Sequence, residues 1–180
     1  MHAVARPLIA HPDFPPSGVT GIFAHLARLP DGKGMLRFRV EGIDELVVPE
    51  FKGRGPGDEL WRTTCFELFL KGAGEGYREF NFSPSGQWAA YLFAAHRSGM
   101  AAYEPFERPD IASARGTGIF AFTAMFDARE FDGFSLAGLS AVIEEQGGRL
   151  SYWALAHPAG RPDFHDPACF AAPLVPPEAA

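Results

Sequence analysis

The sequence predicts an all-β chain folded as an antiparallel β-sandwich of about 8–11 strands. Three observations carry that expectation. Short Phe-bearing segments recur along the 180 residues, which hold 17 Phe, 20 Gly and 16 Pro. Turn-forming residues return about every ten positions. No long segment reads as a helix, so the pattern is of strands and turns throughout.

The elements follow in order. "GIFAHLARL" (21–29) is the first strand, and "PDGKG" turns it into "MLRFRVEG" (35–42). In the latter Leu36, Phe38 and Val40 alternate with Arg37, Arg39 and Glu41, the signature of a strand with one buried and one solvated face. "ELVVPEF" (45–51) is read as a short edge strand, because Pro49 cannot donate to a ladder. "KGRGPGDEL" (52–60) is a loop. "LWRTTCFELFLKG" (60–72), "YREFNFS" (77–83) and "QWAAYLFAA" (87–95) form a meander, joined by "AGEG" and by "SPSG", whose Pro and Gly suit a type I turn. Residues 96–118 read as a long irregular crossover, of the kind that covers a fold or carries function. "IFAFTAMFD" (119–127) is a strand, with Phe120, Phe122 and Phe126 on one face and Ile119 and Met125 on the other. "AREFDGF" holds a single helical turn. "LAGLSAVIEE" (136–145) and "LSYWALA" (150–156) make a last hairpin around "QGGR". A short helix also fits 136–145, since Leu136, Leu139, Val142 and Ile143 form a helical stripe, but strand is the preferred assignment. "HPAGRPDFHDPACF" (157–170) is a polar, Pro-rich loop, and the Pro- and Ala-rich ends wrap or fray.

Apolar residues at 47% and charged residues at 21% describe an ordinary folded chain, expected to form one domain over 1–180. The formal net charge is −6, with no Lys/Arg block, which argues against a nucleic-acid partner and against an anionic membrane surface. No apolar run is long enough to span a bilayer as a helix. The N-terminus makes a poor secretory signal, and a cytoplasmic location is the expectation. Cys65 and Cys169 do not make a disulfide framework, and Cys65, inside a strand, reads as a small buried apolar residue.

Glu67 is the first residue that raises a question of chemistry. If Phe66, Leu68 and Leu70 point into the core, then Cys65, Glu67 and Phe69 point outward. In the next strand Phe80 and Phe82 should be core, which puts Glu79 and Asn81 on the outer face within about 5–8 Å of Glu67. Trp61 lies six positions earlier, about 20 Å away in an extended chain. It reaches the same ligand only if the loop before Thr63 curls back. An aromatic plate beside carboxylate and amide groups is how a protein holds a sugar ring. Spacing alone favours a structural arrangement instead, with Trp61 capping the sandwich edge and Glu67 paired with Arg62, Arg78 or Arg97. His157, Asp163, His165 and Asp166 are metal-ligand types, but their spacing fits no metal signature and a satisfied polar loop is preferred. No nucleophile motif or phosphate loop is present, although Glu67 and Glu79 could form a carboxyl pair.

Several ordered segments together resemble the bacterial DOMON-like domains, which are related to family 9 carbohydrate-binding modules. They are "LWRTTCFELFL", "YREFNFSPSGQWAAYLF" with "HRSGM" soon after, and "HPAGRPDFHDPACF". The resemblance covers nearly the whole chain from "RPLIAHPDFPPSG" onward. It implies a β-sandwich with a ligand groove on one sheet and no catalysis. The sugar-stacking Trp and hydroxyl-binding Glu of the modules fall on Trp61 and Glu67. Asn81 stands where they use an arginine. Their second Trp lies near the C-terminal strand, where Trp153 is one strand position away and His157 or His165 occupies the loop. No acidic run matches their calcium sites. Haem-binding relatives use Met and His, and Met100, Met125 and several His are present without an identifiable pair. The expectation is therefore a non-catalytic site for a small sugar-type ligand, with no metal or cofactor. Its candidate residues are Trp61, Arg62, Glu67, Glu79, Asn81, His157 and His165. The rivals are an enzyme using Glu67 as acid or base, a haem-binding domain and a protein-interaction domain.

Overall fold

The computed structural model describes residues 5–174. Residues 1–4 and 175–180 lie outside the described residues, and with them part of both ends expected to wrap or fray. The strands are β1 (Arg6–Pro7), β2 (Ile9–Ala10), β3 (Gly21–Arg28), β4 (Lys33–Glu41), β5 (Gly55–Pro56), β6 (Cys65–Gly72), β7 (Tyr77–Phe82), β8 (Gln87–Phe93), β9 (Ala101–Ala102), β10 (Asp110–Arg115), β11 (Ile119–Asp127), β12 (Phe134–Glu145), β13 (Arg149–Ala154) and β14 (Ala172–Pro173). Five of these are two-residue pairings, which leaves nine full strands, within the expected range. Short 3-10 turns at Leu60–Arg62, Ala128–Phe131 and Pro167–Cys169 are the helical elements among the described residues.

Two sheets form the sandwich. The smaller runs β1-β3-β4-β11-β10, and the larger runs β2-β13-β12-β6-β7-β8-β5, with β14 beside β12 and β9 beside β8. All pairings are antiparallel except the short β5–β8 contact. Their facing sides bury the alternating apolar residues: Leu36, Phe38 and Val40 of β4 and Phe120 and Phe122 of β11 against Phe66 and Leu68 of β6 and Phe80 and Phe82 of β7. Phe66 lies at the centre, with its ring 4.7 Å from Phe38 and 4.4 Å from Phe122. A tilted, offset cluster of this kind adds to the burial of its area.

The structure corrects three elements. Residues 45–51 are not a strand: they make one bridge, Leu46 to Glu145, and a bond from Val47 N to Glu144 O before Pro49 ends the pairing. The strand expected from 60 begins at Cys65, because Glu59 takes a left-handed conformation (φ 50°) and starts a 3-10 turn. The crossover 96–118 contains β9 and the edge strand β10. The ambiguous segment at 136–145 is strand.

The outer face of the larger sheet is also covered. Phe69, Tyr77, Phe93 and Val142 pack there against Phe164 and Phe170 of the C-terminal segment. This second layer leaves a cleft on the sheet, lined by five of the seven candidate residues: Trp61, Glu67, Glu79, Asn81 and His165.

Candidate functional site

The strand register builds the floor. Ser140 of β12 pairs with Glu67 of β6, which pairs with Asn81 of β7, which pairs with Ala89 of β8. One row along, Phe69 pairs with Glu79 and Glu79 with Tyr91. Period-two alternation thus puts Glu67, Glu79 and Asn81 side by side on the outer face. They form the floor of a cleft of about 1050 Å³, at the upper end of the range that takes small molecules. Trp61, Tyr91, Tyr152, Arg97 and His165 stand around it.

Trp61 reaches this cleft because the loop does curl back. Leu60 is buried against Cys65 and Ala89, which anchors the 3-10 turn to the sheet. Arg62 N donates to Glu59 O, and the Arg62 side chain bonds Glu59 at 2.6 Å. The guanidinium of Arg62 sits 5.1 Å from the Trp61 ring centroid. The indole itself remains 47% exposed. Trp61, Phe14 and Met100 are three large apolar side chains left in solvent at the cleft.

Glu67, Glu79 and Asn81 are 3%, 6% and 1% exposed. Glu67 accepts from Ser140 Oγ at 3.3 Å, and Glu79 accepts from Asn81 Nδ2 at 3.0 Å. Asn81 Oδ1 is buried without a partner. Burial, and then the nearby Glu79, hold the Glu67 carboxyl well above the usual carboxylate range, against opposing effects of Ser140 and Arg97. Burial likewise lifts Glu79 to about 7, opposed by its Asn81 bond and by Arg97. The arginines offered as structural partners are engaged elsewhere: Arg62 with Glu59, Arg78 with Glu130 and Arg97 with Asp163. No ion pair reaches Glu67 among the described residues.

His165 completes the wall. The Tyr77 hydroxyl accepts from Arg97 N at 3.1 Å and lies 2.7 Å from His165 Nδ1. Nε2 faces Glu79 Oε2 at 3.8 Å. Burial, followed by Arg97, lowers His165 to about 4, so the ring is neutral at ordinary pH.

Two candidates do not line the cleft. Arg62 stands beside the indole, held by Glu59. His157 donates from Nε2 to Ile9 O at 2.8 Å and packs against His11, tying down the N-terminal segment. Trp153 is buried in the main core with its N–H on Ser151 Oγ at 2.9 Å. Tyr152, one residue earlier, faces the cleft. Sequence reasoning missed Tyr91 and Tyr152 at the cleft, and offered Arg97 only as an ion-pair partner of Glu67. Alternation could have found both tyrosines, which share strand faces with the floor; Arg97 lies in a loop and carries no such signal. Among the described residues no group of three or more His, Cys, Asp or Glu is placed to hold a metal ion. No described helix is long and apolar enough to cross a membrane.

Fold and site together define a β-sandwich with one sheet hollowed into an aromatic-walled, polar-floored cleft. No family model matches the chain, and no curated protein does. In fold it is similar to the crystal structure of a "putative carbohydrate-binding protein" from Bacteroides uniformis. The likeness has a TM-score of 0.61 at 15% identity and covers 93% of this chain and 84% of the other.

Proposed function

We propose that the protein binds a small carbohydrate-type ligand in this cleft without transforming it. One observation carries the reading: an exposed indole and a row of buried hydroxyl-bonding groups share a single hollow, and Asn81 Oδ1 there has no partner. A sugar ring offers a C–H face to Trp61 and hydroxyls to Glu67, Glu79 and Asn81. The description of the Bacteroides protein supports the same ligand class, as does the resemblance to DOMON-like domains and family 9 modules.

A thermal-shift screen against mono- and disaccharides tests this. A true ligand at 100 times its Kd adds about 2.7 kcal/mol of stability. Trp61→Ala and Glu67→Gln should abolish that shift while the unliganded proteins still fold. The reading falls if no sugar shifts the wild type, or if both variants keep the response.

Acid–base catalysis has one observation of its own. Two carboxyls whose proton affinity is raised by burial beside a neutral imidazole are also a proton-transfer set. Sustained turnover of a glycoside that is lost in Glu67→Gln would replace binding with catalysis.

A further inference from the structure

Resting on the carbohydrate reading, we infer that the ligand bears a protonated amine, seated on the floor between Glu67, Glu79 and Asn81. The class is an amino sugar.

The argument begins with acceptors. Glu67 and Glu79 are buried side by side with no cation paired to either: the nearest basic atom is Nε2 of His165, 3.8 Å from Glu79, in a neutral ring. Arg97 is the guanidinium close enough to be felt, and its charge is already taken. Its Nε and Nη2 bond Asp163 Oδ1 at 3.0 and 2.8 Å, while His96 holds the other oxygen at 2.8 Å. With no counter-charge beside them, buried carboxyls hold their protons instead of ionising, and a ligand cation is the partner that would let one of them ionise in place.

Asn81 supplies the independent evidence. Its Oδ1 is buried, lines the same hollow and has no donor. An ammonium carries three donors and no acceptor, and the floor presents three acceptor groups. A sugar hydroxyl brings one hydrogen, so several hydroxyls are needed to do what one ammonium does from a single position.

Charge balance follows. With the pair protonated in the empty site, the incoming ammonium displaces at least one carboxyl proton to buffer, and the resulting carboxylate bonds the amine. The titratable or charged groups nearest the pair are Cys65 on β6, Tyr77 on β7, Tyr91 on β8, Arg97 beyond β8 and His165 in the C-terminal segment, and Asp58, Glu59, Tyr152 and Arg161 line the same cleft. Burial keeps the cysteine and both tyrosines protonated, so the released proton comes from the carboxyls.

Titration calorimetry at pH 6 in two buffers of different ionisation enthalpy tests this with four probes: glucosamine, glucose, N-acetylglucosamine and cyclohexylamine. Glucosamine should bind about 10- to 100-fold tighter than glucose or the N-acetyl form, the range of a charged hydrogen bond. It should release at least one proton. A Glu67→Gln, Glu79→Gln double variant should lose both the preference and the proton; should it not fold, the wild-type proton count still decides. Equal binding of glucose and glucosamine overturns the amine and leaves the sugar. Cyclohexylamine binding with proton release, and no sugar binding, keeps the amine and overturns the sugar. No binding by any probe overturns both.

Discussion

Glu79 and His165 face each other at 3.8 Å, and burial moves their protonation in opposite senses. Glu79 rises from 4.5 to about 7 on folding, so its contribution to stability is present below pH 4.5 and lost as pH rises through about 7. His165 falls from 6.5 to about 4, so its contribution is present above pH 6.5 and lost as pH falls through about 4. Each effect is of order 3 kcal/mol, and over the shared window they oppose one another. The wild type shows only their sum, together with the effect of Glu67, which burial also raises. Glu79→Gln should lose stability relative to wild type on acidification from pH 7 to 4.5, and His165→Gln should gain it. Urea denaturation at the two pH values measures this. Curves that stay parallel for all three proteins would show that neither group is perturbed by its burial.

At the scale of elements, the C-terminal segment forms one wall of the cleft, and Gly138 on β12 is where it lands. A Cβ at Gly138 would meet the Phe170 ring at 2.8 Å and Cys169 O at 3.2 Å. Gly138→Ala should therefore lift that segment, costing about 1–3 kcal/mol, and weaken binding of the proposed ligand because His165 and Phe164 move with it. Gly34 is the control. A Cβ there would strike the Phe126 ring inside the core, from the sheet opposite the cleft floor. Gly34→Ala should lower the urea midpoint and leave affinity unchanged; calorimetry showing equal affinity losses in both variants would refute the distinction. The same elements show what a sequence reveals. Leu36, Phe38 and Val40 announced β4 because one of its faces is wet. Glu67, Glu79 and Asn81 could be placed on one face because alternation and a short turn fix register in a meander. Strand β10 was hidden because, in "DIASAR", Ile111 is the one buried residue on an edge. The turn that delivers Trp61 was hidden because its left-handed residue is Glu59, where glycine would have signalled it. His157 was misjudged because loop residues have no periodicity to fix their direction.

The whole molecule depends on how its two sheets are tied together beside the cleft. The chain leaves the larger sheet after β8, passes through β9 and enters the smaller sheet at β10. Glu130, fully buried in the turn after β11, gathers this crossing: it accepts from Arg78 of β7, from the Tyr103 hydroxyl at 3.0 Å and from Phe106 N at 2.9 Å. One carboxylate thus joins the smaller sheet, the larger sheet and the crossover between them. The Arg78 guanidinium lies 4.0 Å from the Tyr103 ring centroid, and its Nε already lacks a partner. Glu130→Gln would leave that buried cation uncompensated and turn an N–H donor toward it, so the expected loss is about 3–5 kcal/mol. A Glu130→Leu, Arg78→Met pair removes both charges at once and should recover most of that loss, because a buried ion pair replaced by apolar groups is close to neutral. Urea midpoints at unchanged slope measure both. If the single variant is as stable as wild type, the crossover is held by its strand pairing alone; if the double variant is no better than the single, the carboxylate matters for the backbone N–H and the hydroxyl it caps rather than for the arginine.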